Sequence, residues 1–273
     1  MGRSNRTYQL LLKLWPIYKL GLWLGRQPSV GKLLSPAFSS KIHQVTMLPV
    51  NEPIVQGEQT VLPYFLLEQL VKNASARFIM KECVCRRQEN CHTHPITLGC
   101  VILGEGARHI HPSLGRLSDV EEALFHVQRG MQAALYPLVA HTVIDAFTMG
   151  IPYKRMLTVC FCCECCCLVQ RGLRNGPTSL LKAIQPLPGL QVTIDDQCTA
   201  CGNCIDACPV KAISLNSHKV EVSSQCKGCG ICLKACSNGA IKMEMDGETD
   251  LGAAFFERIR GYANITDQST ARH

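Results

Sequence analysis

Residues 198–237 read CTACGNCIDACPVKAISLNSHKVEVSSQCKGCGICLKACS, and within them one cysteine pattern is written twice. The first run is Cys198-x2-Cys201-x2-Cys204-x3-Cys208-Pro209, and the second, 28 residues on, is Cys226-x2-Cys229-x2-Cys232-x3-Cys236-Ser237. Thiolate is a soft ligand. Three thiols spaced by two residues wrap a small loop around one compact centre. The fourth ligand must then come from elsewhere, and the repeat supplies it. Zinc sites are built instead from two C-x2-C pairs, so a pair of zinc knuckles does not suit these triplets.

The repeat extends beyond the cysteines. Ala212-Ile213 matches Ala240-Ile241, and Val192-Thr193-Ile194 and Val220-Glu221-Val222 alternate as short strands before each run. This spacing holds two [4Fe–4S] cubanes in which the fourth cysteine of each run crosses to the other cluster. Cys198, Cys201, Cys204 and Cys236 are therefore expected at the first cluster, and Cys226, Cys229, Cys232 and Cys208 at the second. Gly202, Gly228 and Gly230 allow tight turns that bring N–H groups to sulfur, where they stabilise the reduced state. Ile205, Val210, Ile213, Ile231, Leu233 and Ile241 are expected to shield the centres from water. On these residues, the segment resembles the bacterial two-[4Fe–4S] ferredoxin domain. The resemblance covers about a fifth of the chain and implies a pseudo-twofold fold of short hairpins and helices that passes single electrons. Ser237 stands where that family often has proline, which leaves the turn after Cys236 less constrained.

The chain has 273 residues, 18 cysteines and a formal net charge of +7. That length allows a real core and two domains. Metal thiolates require reducing conditions, which places the protein in an anaerobic cytoplasm, peripheral to the inner membrane face if its N-terminus touches lipid. Before residue 60, Arg3, Arg6, Lys13, Lys19, Arg26, Lys32 and Lys41 face only Glu52 and Glu58. Residues 8–24, YQLLLKLWPIYKLGLWL, are strongly apolar but short for a membrane span and interrupted by Lys13, Pro16 and Lys19. Both tryptophans, Trp15 and Trp23, lie there beside basic residues, as in interfacial helices. Residues 1–30 are thus a docking element for the protein's own core, a larger redox complex or a membrane surface. No nucleic-acid motif is present, and redox proteins are the expected partners.

The expected fold class is α+β: a mostly helical cysteine-rich N-terminal domain plus a small ferredoxin-like dicluster domain of short hairpins and helices. Residues 1–60 form a basic amphipathic N-terminal segment and 61–171 the cysteine-rich domain. A linker (172–190), the dicluster unit (191–246) and a helical tail (247–273) follow. Pro63 starts a helix running to about Arg77, with Leu66, Leu67, Leu70 and Val71 on one face. Ser118-Asp119-Val120-Glu121 is a capping box for a helix ending before Pro137. A third helix is expected over 139–147. In the tail, Leu251, Phe255 and Ile259 share a helical face.

Ten cysteines remain: Cys83, Cys85, Cys91 and Cys100, then the run CFCCECCC over 160–167. Neither group fits a zinc finger or a thioredoxin-type motif. If the run is extended, Cys163, Cys165 and Cys167 share one face, and Cys160, Cys162 and Cys166 the other; if it is helical, Cys162, Cys163 and Cys166 lie together. A further iron–sulfur cluster is expected from Cys83, Cys85 and Cys91 with Cys162, Cys163 and Cys166, its charge offset by Arg86 and Arg87. Cys100 reads equally well as a small buried apolar residue. The region resembles the cysteine-rich module of iron–sulfur proteins from anaerobes that join a C-x-C-R segment and a later cysteine-dense run to a ferredoxin domain. The Cys-Cys-Gly signature of heterodisulfide-reductase-like chemistry is missing, because Glu164 follows Cys163 and Leu168 follows Cys167. His92, His94, His109 and His111 read as loop residues, and Leu103-Gly104-Glu105-Gly106 is too weak for a dinucleotide site.

Three functions follow. The first is an electron-transfer protein carrying two [4Fe–4S] clusters and a further one upstream. The second is a reductase or cofactor activator whose active cluster lies within residues 80–167, fed by the dicluster unit. The third is a redox sensor using the thiols of 160–167.

Overall fold

The computed structural model describes residues 2–49, 54–56, 59–61, 63–133, 135–217 and 219–266. Glu52, Glu58, Pro53 and the last seven residues of the expected tail lie outside them. In chain order the elements begin with helices α1 (Asn5–Leu12), α2 (Trp15–Gly25) and α3 (Pro28–Leu34). Strands β1 (His43–Met47), β2 (Ile54–Gln56) and β3 (Gln59–Val61) follow, then α4 (Pro63–Asn73), β4 (Arg77–Met80), α5 (Val84–Gln88), β5 (Val101–Leu103) and β6 (Gly115–Leu117). Next come α6 (Val120–Gln132), β7 (Tyr136–Thr142), α7 (Val143–Met149), β8 (Leu157–Cys162), α8 (Leu168–Asn175), α9 (Thr178–Ala183) and β9 (Ile184–Gln185). The C-terminal part holds β10 (Leu190–Ile194), α10 (Asn203–Ala207), β11 (Ile213–Asn216), β12 (Lys219–Val222), α11 (Ile231–Ala235), β13 (Ile241–Met245) and α12 (Leu251–Arg260).

A seven-stranded sheet, ordered β6-β4-β5-β8-β7-β1-β9, runs through the cysteine-rich region. Helix and sheet together make the protein α+β, but a sheet, not a helix bundle, organises residues 61–171. The expected helix over 139–147 is half strand. Val139 pairs with Thr46 and Val159, and the helix begins only at Val143, where Thr142 caps it by accepting from the Asp145 N–H at 3.1 Å. The physical reason is burial on both faces: every residue of 136–141 is buried, and a short continuous apolar run reads equally as strand or helix.

Alternation along the strands sends side chains to two cores. Val101, Val139, Leu157, Val159 and Phe161 meet α4, α6 and α12 on one face. That layer is the one most readable from sequence: α4 buries Leu66, Leu67, Leu70 and Val71, and α12 buries Leu251, Phe255 and Ile259. Asp119 caps α6 by accepting from the Glu122 N–H at 2.8 Å. Helix α6 lies so close to β8 that a Cβ at Gly130 would strike the Phe161 ring. On the other face Val45, Leu138, Ala140, Cys160 and Cys162 look toward α2, α8 and α9. Residues 172–190, expected as a linker, carry the second half of α8, all of α9, and β9, which extends the large sheet beside β1.

The C-terminal repeat is also structural. Helices α10 and α11 occupy equivalent positions, as do the left-handed residues Gly189 and Ser217, Ala200 and Gly228, Gly202 and Gly230, and Lys211 and Gly239. The unit is not separate from the rest: β13 takes β2 as a parallel neighbour, giving a four-stranded sheet β10-β13-β2-β3.

The apolar N-terminus folds as α1 and α2. Its start is fastened by the Arg3 N–H to the Met149 carbonyl at 3.0 Å and by Arg3 Nε to the Phe147 carbonyl at 2.7 Å. Glu89 gathers the Trp15 indole N–H at 2.6 Å, Lys19 at 2.8 Å and Arg171 at 3.0 Å. Tyr8, Leu12 and Leu22 are buried, whereas Leu10, Leu14, Ile17, Leu20 and Trp23 are exposed. No helix among the described residues is long and apolar enough to cross a membrane.

Candidate metal centres

In the C-terminal unit each cysteine run forms a loop that ends in a short helix. Gly202 and Gly230, both left-handed, turn the chain into α10 and α11, a conformation glycine adopts without strain. Cys198, Cys201, Cys204 and Cys236 surround one cavity of about 370 Å³, open space at its mouth included, backed by Ile194, Val220 and Ile241. Cys208, Cys226, Cys229 and Cys232 surround a second of about 320 Å³, backed by Val192, Val210 and Ile213. Backbone N–H groups reach sulfur at both ends of the second set: Ala212 to Cys208 at 3.2 Å and Gly228 to Cys226 at 3.4 Å. Burial pushes the Cys229 and Cys232 thiols up to about 12, so metal loading there must displace protons. Four sulfurs converging on an apolar-backed space suit a cluster of iron and sulfide at each cavity.

The ten upstream cysteines form two groups, and the divider is the end of β8. Cys160 and Cys162 lie on the sheet face opposite Phe161. After Cys162 the strand stops, and a turn over 164–166 carries Cys163, Cys165 and Cys166 toward Cys91. The chain then re-enters at Cys167, the N-cap of α8, on the Cys162 side. The run is extended only through Cys162, so Cys160 and Cys162 share a face as the extended alternative expects; beyond it neither expected arrangement is adopted.

The first group, Cys91, Cys163, Cys165 and Cys166, has all four Sγ atoms within 4.8 Å of one another. Burial alone would raise the Cys91 pKa, yet the backbone N–H groups of His94 and Thr93 bring it down to about 7. The second group lines a chamber of about 1080 Å³, open space at its mouth included, under the second sheet face. Cys83 touches Cys85, Cys85 touches Cys167, and Cys167 touches Cys162. Cys160 continues the chain of thiols to Cys100, 3.2 Å away. The Cys162 and Cys85 thiols donate to Cys167, and the Gln170 N–H adds to them, so Cys167 is acidified in spite of burial. Burial holds the chamber's Asp145 carboxyl above its ordinary pKa, and His43 in its wall bonds the Ala37 carbonyl at 3.1 Å. The six expected upstream ligands are thus divided: Cys83, Cys85 and Cys162 belong to the chamber, and Cys91, Cys163 and Cys166 to the other group. Cys100, Cys160, Cys165 and Cys167 join them; strand alternation along β8 places Cys160 beside Cys162, but no spacing rule would have selected the other three.

Arg86 stands between the two groups. It is fully buried and donates to the Phe161 carbonyl at 2.7 Å, the Pro95 carbonyl at 3.0 Å and the Leu98 carbonyl. Among the described residues it has no carboxylate partner; the sulfurs of Cys83, Cys163 and Cys100 are the neighbours its charge faces. Burial would lower its pKa, but these sulfurs hold it above the ordinary value. Arg87, also expected to offset cluster charge, instead points outward and pairs with Glu82 at 3.6 Å.

The dicluster unit also meets the chamber wall. Cys229 and Ile231 pack in the same core as Tyr136, Cys162, Cys167 and Leu173. Tyr136 pairs across the sheet with Cys162, lies under the Lys234 ammonium at 5.0 Å and donates its hydroxyl to Glu164.

No curated protein matches the chain, and no solved structure does. The family model for a 4Fe-4S dicluster domain matches residues 191–237, the stretch that contains both cysteine runs, and this segment is an iron–sulfur domain.

Proposed function

We propose that the protein is an electron carrier in an anaerobic redox system, with two [4Fe–4S] clusters in the C-terminal unit and a further cluster in the chamber. Cys198, Cys201, Cys204 and Cys236 hold the first cluster, and Cys226, Cys229, Cys232 and Cys208 the second. Cys83, Cys85, Cys162 and Cys167 supply the chamber ligands. When bound, such clusters supply one-electron transfer. The chain's own part is to fix the thiolates, aim N–H groups at sulfur and exclude water. One observation carries the reading: Cys229 and the chamber's Cys162 and Cys167 share one packed apolar core, which offers a dry contact between the two regions.

The chamber favours a second reading. Its volume is about three times that of either dicluster cavity, and it adds Asp145, His43 and Thr158 to the thiols. In that reading it also admits a substrate, reduced by electrons arriving through the dicluster unit. The exposed Leu10, Leu14, Ile17, Leu20 and Trp23 beside Lys13 support docking of α1 and α2 on a larger redox complex.

The test is anaerobic iron and sulfide quantitation with an EPR-monitored redox titration, on wild type and on Cys85→Ser/Cys162→Ser. About twelve irons in wild type and about eight in the variant are expected. Equal iron in both proteins would overturn the chamber cluster. An iron-free or zinc-loaded dicluster unit would overturn the whole reading.

A further inference from the structure

We propose that Cys91, Cys163, Cys165 and Cys166 hold a single tetrahedral metal ion, zinc or iron without sulfide, separate from every cluster. This inference does not depend on the chamber reading. Its basis is size. A metal–sulfur bond of about 2.3 Å places the sulfurs of a tetrahedral tetrathiolate about 3.8 Å apart. Here Cys91 and Cys165 are 3.8 Å apart, Cys165 and Cys166 are 3.5 Å apart, and all four sulfurs fall within 4.8 Å. A cubane would spread them wider, because each thiolate then sits on a different iron at a different corner. Four protein ligands leave no open position, which is the pattern of a structural ion.

Charge is the second, independent observation. The buried Arg86 guanidinium donates to the Pro95, Phe161 and Leu98 carbonyls and has no carboxylate partner among the described residues, while Cys163 lies against it. A buried cation without counter-charge is strongly unfavourable. A divalent ion with four thiolates is a net anion, and Arg86 supplies the balancing positive charge.

The ion would have a definite mechanical task. Cys91 follows α5, and its backbone N–H is held by the Arg86 carbonyl at 2.9 Å. Cys163, Cys165 and Cys166 form the turn between β8 and the Cys167 cap of α8. One ion therefore pins the loop after α5 to that turn and sets where Cys167 enters the chamber.

The experiment uses the full chain purified without oxygen, with zinc, iron and acid-labile sulfide counted in wild type, Cys91→Ser and Cys165→Ser. Each variant is expected to lose about one ion with sulfide unchanged; the element lost tells zinc from iron. Unchanged metal, or iron lost together with an equal amount of sulfide, would overturn the proposal. Anomalous scattering from wild-type crystals at the zinc and iron edges tests it without any substitution. A single-atom peak among the four sulfurs is expected; no peak, or density for several irons, rejects the site.

Discussion

The two cysteine-rich regions reach metal-ligand geometry by opposite routes. In the C-terminal unit the ligands are set by local spacing: each triplet lies within one loop, and only Cys208 and Cys236 reach the cavity of the other run. Upstream, spacing decides little beyond the pairing of Cys160 with Cys162 along β8. Cys162 and Cys163 are adjacent, yet they pack in different cores, and only Cys163 joins the four-sulfur group. Cys91 and Cys165 are far apart in sequence and 3.8 Å apart in space. A repeat makes its sites from sequence, whereas the upstream sites exist only after β4, β5, β7 and β8 have paired. The repeat is therefore expected to tolerate disturbance of the large sheet better than the upstream sites do.

The largest expected effect breaks the local rule where it is weakest. Cys208→Ser leaves the first triplet intact, yet it should remove about four irons from the cavity of Cys226, Cys229 and Cys232. Iron counting with EPR before and after the change measures this. Loss of the other centre instead would mean that the fourth ligands do not cross.

Next in size is Arg86→Met. Three carbonyls lose their buried donor, each a cost of about 1–3 kcal/mol, and the thiolates lose their counter-charge. The holoprotein should lose about 3–5 kcal/mol, as when one partner of a buried ion pair is removed. In a Cys165→Ser background the charge that Arg86 balances is reduced, so the same change should cost less. Denaturant midpoints of the four proteins in this double-mutant cycle give the coupling. A coupling of zero would separate Arg86 from the metal site.

The same contrast explains what was legible. The dicluster ligand pattern, the faces of α4 and α12 and the Asp119 cap could be read because each is a short-range pattern. The large sheet could not: 136–141 is buried on both faces and shows no alternation, and its partners come from 43–47 and 157–162. Nor could the division of the upstream thiols, which depends on where β8 ends. Arg86 and Arg87 show the limit most plainly. Both read as charge compensation, but only the first turns inward, because α5 places its neighbour beside Glu82.

A smaller effect tests how alike the two halves of the repeat are. Gly202→Ala and Gly228→Ala each force a side chain into the left-handed region, at about 1–2 kcal/mol. At Gly202 nothing lies within 4 Å of the new Cβ, whereas at Gly228 it would meet Leu190 Cδ2 at 2.6 Å. Gly228→Ala should therefore lower the melting temperature more. Its counterpart Ala200 already carries the strain at φ +54°, so Ala200→Gly should raise the melting temperature. The reverse order of the two glycine effects would show that the Leu190 contact does not set the cost, and a lower melting temperature for Ala200→Gly would show that the two loops are not equivalent.

The smallest effect lies at the seam joining the N-terminus to the upstream region. Burial alone would raise the Glu89 pKa, but the Lys19 ammonium, the Trp15 N–H and Arg171 hold it below the ordinary carboxylate value. A depressed carboxylate stabilises the fold in full above its unfolded pKa, and that stability is lost as pH falls through the folded value. Lys19 and Arg171 are about a third exposed, which limits the contribution to about 1 kcal/mol. Glu89→Gln should therefore loosen α2 at neutral pH, and its difference from wild type should shrink as the solution is acidified below the ordinary glutamate range. Tryptophan fluorescence reports this directly, since both tryptophans lie in α2 and Trp15 donates to Glu89. A difference that stays constant into acid would mean that Glu89 holds α2 by shape alone, and that its charge contributes nothing to the seam.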